Sequence, residues 1–346
     1  MNNTQWHAGN DMTKEECCHL CQTTRGCDFS VLSGTTGACW FKTNGAVPYY
    51  RKGDISCCPF GVNGCPSSPE NNDKWYLQHD FSDEFQSTKV IGQLMPINRT
   101  KWTTNVTSWS NDWSWSNKNV RIVQNPNNDT SNNNNGEVTG SFIALDMTYE
   151  PHVNDKNMTV YYNSGILKSM LPRGIQYGRF EARIKGAGRW PGVCPAFWGW
   201  RRTSSKSIKS SNDESYWIEL DFVEMLENKN TVKDIDFTSH VFPPTKGLPN
   251  PKKELSNATH WIAPFDPRDD FHIYSMEWNS TLLTWYVDGI LVKKENSFPY
   301  FNGKDRYIDI ALSFGLRPPL KTLSNKTDFP TTFYVDWIRT WKRKEL

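Results

Sequence analysis

Trp217-Ile-Glu-Leu-Asp-Phe-Val-Glu-Met225 sets three carboxylates among large apolar side chains. The polar–apolar alternation reads as a β-strand. Residues two apart in a strand share a face, so Glu219 and Asp221 point the same way and Glu224 points the other. One extra residue near Phe222-Val223, a β-bulge, would return Glu224 to the shared face. Three acids on one face repel each other, so stability does not favour them, and an active site is the natural explanation. The alternative is a solvated acidic edge strand. Such a strand would not carry Trp217, Ile218, Leu220, Phe222 and Val223 between its acids.

The same alternation extends outward. Phe180-Glu-Ala-Arg-Ile-Lys185 has period two, and Phe271–Trp278, Leu283–Val292, Tyr307–Phe314 and Thr332–Arg339 are further strand-like runs. Asp288-Gly289 between apolar runs predicts a hairpin, because a type I′ turn needs positive φ at both central residues. No long helical pattern competes. Many short strands joined by polar turns predict an all-β fold, a two-sheet sandwich or jelly roll. Asn125–Gly136 and Thr203–Ser215 read as surface loops.

The chain has 346 residues and 16 Trp, and its charges nearly cancel at +2. The aromatic load excludes a disordered chain. No basic stripe argues for nucleic acid, and no run of 18 apolar residues argues for a membrane span. Eight of the nine cysteines fall in the first 65 residues: Cys17, Cys18, Cys21, Cys27, Cys39, Cys57, Cys58 and Cys65. Such clustering reads as a disulfide framework from an oxidising compartment. Zinc is the alternative, because Cys18-His-Leu-Cys21 is a CxxC, although no second half follows at finger spacing. Eight Asn-x-Ser/Thr sequons (Asn2, Asn98, Asn105, Asn128, Asn157, Asn257, Asn279, Asn325) agree with secretion, although a chain this rich in Asn yields about five by chance. No apolar segment follows Met1-Asn-Asn-Thr4, so no signal peptide is read here, and a fragment, a mature form or an incomplete gene model is expected. Three zones emerge: a disulfide-rich module over 1–58, a Pro/Gly/Ser/Asn-rich linker over 59–76, and the strand-rich domain over 77–346.

Glu15-Glu-Cys-Cys-His-Leu-Cys21, Gly26-Cys27 and Ala38-Cys-Trp-Phe-Lys42 resemble the PAN/apple module. That resemblance implies a helix stapled by disulfides to a small sheet, serving to bind protein or carbohydrate; a disulfide-held spacer is the other reading. Glu219-Leu-Asp-Phe-Val-Glu224 resembles the E-x-D-x-x-E signature of glycoside hydrolase family 16. Tyr177–Lys185, Pro195-Ala-Phe-Trp198, Ser82-Asp-Glu-Phe85, Trp285–Gly289 and Tyr334–Arg339 fall in that family's order, from about Phe81 to Trp341. The resemblance implies a concave β-jelly roll whose cleft holds a polysaccharide cleaved with retention. Retention needs two carboxyl groups roughly 5–5.5 Å apart. The Cα atoms of Glu219 and Glu224 would lie about 13 Å apart on a bulged strand, a span that two long side chains on a concave face can close. By the resemblance Glu219 is the nucleophile and Glu224 the acid/base. Asp221 between them is expected to hydrogen-bond Glu219 and to help keep Glu224 protonated.

Trp faces stack on sugar rings, so Trp198 and Trp200, with Trp115 and Trp190 behind them, are candidate subsite walls; a core role is the alternative for each. Laminarinases of the family carry an Asn-x-Ala-x-Gly-Gly segment where this chain has Leu312-Ser-Phe-Gly-Leu-Arg-Pro-Pro319. That departure, with Thr238-Ser-His-Val-Phe242, looks more like the agarase, porphyranase and carrageenase branch. A galactan hydrolase is therefore the first reading and a β-1,3-glucanase the second. Arg201, Arg202 and Arg317 would suit sulfate esters or serve as rim charges, and His240 would contact sugar or pack in the core. A transglycosylase would use the same residues, whereas a glucan-recognition protein would not need all three acids. The chemistry requires no cofactor. The resemblance does imply a structural calcium ion, with Asp336 and Glu84 as candidate ligands. Cys194 has no base near it in sequence and reads as a buried free thiol.

Overall fold

The computed structural model describes residues 5–12, 16–17, 20–21, 29–33, 38–42, 55–57, 75–85, 97–108, 110–124, 141–170, 174–188, 192–202, 217–225, 231–242, 255–297, 300–302, 306–317 and 328–344. Strands β1 (Gln5–Gly9), β2 (Phe29–Leu32), β3 (Cys39–Lys42) and β4 (Ile55–Cys57) form an antiparallel sheet in the order β1-β3-β2-β4. Cys17 and Cys39 are bridged, and Cys21 is also disulfide-bonded. These sulfurs are therefore not available to zinc. The other cysteines of the cluster lie outside the described residues.

The remaining strands are β5 (Trp75–Leu77), β6 (Trp102–Thr103), β7 (Trp113–Trp115), β8 (Val120–Gln124), β9 (Ser141–Val153), β10 (Thr159–Ser164), β11 (Ile166–Ser169), β12 (Gly178–Lys185), β13 (Val193–Arg202) and β14 (Trp217–Glu224). They continue through β15 (Asp234–Phe242), β16 (Leu255–Ile262), β17 (His272–Trp278), β18 (Leu282–Val287), β19 (Ile290–Asn296), β20 (Asp309–Leu316) and β21 (Thr331–Arg343). Two sheets result among the described residues. One runs β19-β18-β17-β12-β21-β9-β10-β7, with β5 on β21 and β8 on β9; the other runs β16-β15-β14-β13-β20-β11-β6. This is the all-β jelly-roll sandwich read from the sequence. β5 takes up Trp75 and Tyr76, so the sheet begins inside the expected linker, the rest of which lies outside the described residues, as do both predicted loops. The Asp288-Gly289 turn forms as read, with φ of 48° and 80°. No helix among the described residues is long and apolar enough to cross a membrane.

The alternation buries one face of each sheet against the other. Phe180 of β12 stacks on Phe222 of β14 with centroids 5.0 Å apart, and Phe197 of β13 meets Phe222 edge-on at 4.7 Å. Phe314 of β20 meets Phe333 of β21 at 5.3 Å. Each fully buried Phe contributes about 1.5–3 kcal/mol relative to exposure.

The bulge is present. Against β13, Val223 pairs with Phe197 and Asp221 with Trp198, which leaves Phe222 as the extra residue. Against β15, the register likewise shifts between Asp221 and Glu224. Trp285 of the opposite sheet donates its Nε1–H to the Asp221 carbonyl at 2.8 Å. Beside it, buried Lys293 crosses the layers to the carbonyls of Phe237 and Asn257 at 3.1 and 2.5 Å, with its ammonium 4.2 Å from the Trp285 ring centroid. The Trp285→Phe protein keeps one aromatic ring, loses the pyrrole part of the indole and leaves a buried carbonyl without its donor. Its stability in urea is expected to fall by about 1–3 kcal/mol; an unchanged midpoint would show that the bond does not hold the bulge.

Candidate active site

β14 lies between β13 and β15, and the register sets its acids beside particular neighbours. Glu219 is opposite Trp200 and His240, Asp221 opposite Trp198 and Thr238, and Glu224 opposite Ala196 and Asp236. Because of the bulge, all three acids line one cleft, together with Trp113, Cys194, Trp198 and Arg317. The side chains of Glu219, Asp221 and His240 converge, with ligand atoms within 4.8 Å of one another.

Asp221 is only 3% exposed, and its Oδ2 lies 3.1 Å from His240 Nε2. Asp221 approaches the imidazole of the neighbouring strand while its carboxyl stays within 4.8 Å of that of Glu219. His240 thus sits at the acids rather than in the core. Glu224 is 7% exposed and accepts a charge-assisted hydrogen bond from Arg317 Nη2 through its Oε1. The same oxygen lies 3.7 Å from Cys194 Sγ.

Burial, and then the neighbouring charges of Asp221 and Glu224, hold the Glu219 carboxyl well above its ordinary value. Glu224 is pushed up by burial and by Asp221, against the pull of Arg317. Burial also raises the Cys194 thiol, which keeps it protonated and unreactive. Cys194 is buried and free, as read. Its place beside Glu224 was missed, although a signal existed: Cys194, Ala196, Trp198 and Trp200 are spaced by two along one strand. Trp113, buried at the cleft, and Asp236, the buried ladder partner of Glu224, were missed as well.

The walls divide into packed and open parts. Trp198 and Trp200 lie parallel, 4.0 Å apart. Trp198 is only 7% exposed and donates to Ser313 Oγ at 3.0 Å, so it serves as the buried backing rather than as an open face. Trp200 and Trp115 are more open and pack against it. Lys168 Nζ lies 5.7 Å from the centroid of Trp200. Arg201 and Arg202 are placed by their backbone, opposite Ile218 and Trp217, with Arg201 out of phase with Trp198 and Trp200. The side chains of Arg201 and Arg202, and all of Trp190, lie outside the described residues.

Asp336 and Glu84 do not fit the calcium site that the resemblance implied. Arg183 binds Asp336 at 2.5 Å, and Arg339 grips both oxygens of Glu84 at 2.8 and 3.0 Å. A divalent cation there would face two guanidinium groups already neutralising its ligands.

Comparison with known proteins agrees with this geometry. The sequence model of Glycosyl hydrolases family 16 matches residues 108–302. The kappa-carrageenase of Pseudoalteromonas carrageenovora is 32% identical over 293 residues, 80% of this chain and 67% of that protein. The crystal structure of that enzyme with an oligotetrasaccharide of kappa-carrageenan aligns with a TM-score of 0.60 and 30% identity, over 78% of this chain and 96% of that one. Glucan endo-1,3-beta-glucosidase A1 of Niallia circulans is 22% identical over 206 residues, 55% of this chain and 28% of that protein.

The raised Glu219 carboxyl carries a signature in stability. Its proton leaves near the ordinary value of 4.5 in the unfolded chain and at higher pH in the fold. The contribution is whole below the unfolded value and is lost as pH rises through the folded one. Thermal melts of Glu219→Gln and the parent should therefore diverge from acid to neutral pH, with the variant gaining. Parallel melting curves across that range would contradict the shift.

Proposed function

The chain belongs to glycosyl hydrolase family 16, and from that premise we propose that it is a secreted, retaining endo-hydrolase of a sulfated galactan of the carrageenan type. The observation that carries the reading is the bulge at Phe222, which brings Glu224 to the same cleft as Glu219 and next to Arg317. Glu219 attacks the anomeric carbon and forms the glycosyl-enzyme intermediate. Glu224 gives its proton to the leaving oxygen and then takes one from the attacking water. Desolvation favours a protonated Glu224 in the first step, and the Asp221 charge acts in the same direction. His240 stands 3.1 Å from Asp221 on the neighbouring strand and offsets its charge when protonated.

Arg317 carries the preference for an anionic substrate. Its guanidinium fork suits a sulfate ester, and in the free protein it is held by Glu224. A sulfate competes for that fork, and its capture leaves Glu224 with one fewer reason to be ionised. The greater identity and coverage of the kappa-carrageenase, compared with the glucanase, favour a sulfated galactan over a β-1,3-glucan. Trp200 and Trp115 supply the stacking faces. The N-terminal sheet with its Cys17–Cys39 bridge is read as a PAN/apple-like module that binds carbohydrate or protein. Its disulfides suit an extracellular setting.

Reducing-end release is expected from kappa-carrageenan, with less from porphyran and agar; release from laminarin alone would overturn the galactan reading. Glu219→Gln and Glu224→Gln are each expected to lose at least about a thousandfold in kcat with the fold retained. A Glu219→Gln protein working at the parent rate would sink the assignment. Arg317→Met should lose activity mainly on sulfated galactan, and an equal loss on the desulfated polymer would remove Arg317 from sulfate recognition.

A further inference from the structure

The ten-stranded sheet carries a feature that the catalytic cleft does not use. Where β5, β12, β17 and β21 end, a cavity of about 480 Å³ opens between them. Its wall includes Trp75, Lys342, Arg343 and Lys344. Trp75 is the ladder partner of Arg343, so the indole and the guanidinium arise from neighbouring strands at one level of the sheet. Trp75 is partly buried, and Arg343 and Lys344 are exposed.

Among the described residues the charge balance of this cavity is one-sided. Glu277 also lines it, but that carboxylate is held by buried Arg179 at 2.9 Å. None of Lys342, Arg343 and Lys344 forms an ion pair among the described residues. Three adjacent cations without a paired anion among the described residues raise each other's cost and attract a polyanion. The volume falls in the range of small-ligand sites, about 300–1,000 Å³. An aromatic ring beside fixed cations is the chemistry that holds a sugar ring bearing an acidic ester: the ring meets the apolar sugar face, and the fork meets the ester. Phosphate alone would need no indole, and a neutral glycan would need no cations.

We propose that this cavity is a second, non-catalytic binding site for a sulfated galactan chain, with Trp75 against a sugar ring and Arg343 and Lys344 on its sulfate esters. The ligand class rests on the substrate reading given above. The cleft belongs to the seven-stranded sheet and the cavity to the other, so the two sites occupy different layers. A long substrate held at either site raises the effective concentration of its other segments at the cleft.

The test uses the full chain with Glu219→Gln, which binds without cleaving. Calorimetric titration with a kappa-carrageenan hexasaccharide should resolve two sites, and the weaker should weaken further with added salt. In the same background, Arg343→Glu with Lys344→Glu should leave one site, and Trp75→Ala should weaken the second about tenfold or more. Hydrogen exchange needs no pocket variant: saturating hexasaccharide should slow exchange in residues 75–77 and 341–344. A single site in the Glu219→Gln protein, or two sites surviving in the charge-reversed variant, would overturn the proposal, as would unchanged exchange in those segments. A neutral agarose hexasaccharide binding equally well at the second site would also overturn it. Hydrolysis of kappa-carrageenan by the parent chain is assayed in parallel. Its absence would defeat the catalytic reading, whereas hydrolysis without a second site would defeat only this one.

Discussion

One residue inserted into one strand decides what this protein can do. In an unbroken ladder Glu224 would face the opposite sheet among Phe180, Phe197 and their neighbours, a position no carboxylate could hold without protonation. The insertion at Phe222 turns Glu224 out and Val223 in, beside Phe222 in the core. The sandwich holds that irregularity from behind. Phe222 is gripped by Phe180 across the layers and by Phe197 from the next strand. Trp285 satisfies a carbonyl at the start of the bulge, where the ladder register slips. Aromatic pairs of this kind add about 0.5–1.5 kcal/mol each beyond their buried area. The bulge is therefore a property of two sheets, and a strand with the same sequence alone would have no reason to form it.

The acids are then separated by what faces them. Glu219 and Asp221 lie toward His240, whereas Glu224 lies toward Arg317 and Cys194. Burial raises both Glu carboxyls and the Arg317 charge opposes it at both, but Arg317 hydrogen-bonds Glu224. In the free protein these environments favour the ionised form more at Glu224 than at Glu219, the reverse of the proposed roles. Those roles therefore require substrate binding to shift the balance at both carboxyls. The thiol beside Glu224 is kept protonated by the same burial, so it can donate weakly to the carboxylate without competing as an anion.

Much of this was legible in the sequence because it is local. Alternation gave the strands, Asp288-Gly289 gave its hairpin, and the out-of-phase Glu224 demanded the bulge. What failed to be legible depended on partners far away in the chain. Asp336 and Glu84 look like oxygen ligands until the pairing of β12 with β21 brings Arg183 to Asp336 and β21 brings Arg339 to Glu84, across separations of 153 and 255 residues. Trp198 looks like an open platform until Ser313 and Ala311 of β20 cover it. Sequence periodicity assigns a face. It does not assign the occupant of the next strand.

The contact between Arg317 and Glu224 joins recognition to proton inventory. An arginine beside a general acid is a liability, since it favours the ionised form that cannot protonate a leaving group. The liability disappears if the substrate itself brings an anion for the guanidinium. Binding a sulfate then releases Glu224 to hold its proton in a desolvated site, while a neutral galactan of the same shape would leave the pair intact. Discrimination built in this way does not depend on how tightly the neutral sugar binds. It acts on the fraction of bound complexes with a competent acid, and so it enters kcat as well as KM. A cleft that merely added a cation at its rim would discriminate in KM alone. On the proposed reading, placing the cation on the acid would couple a sulfate ester of the substrate to the bond that is cleaved.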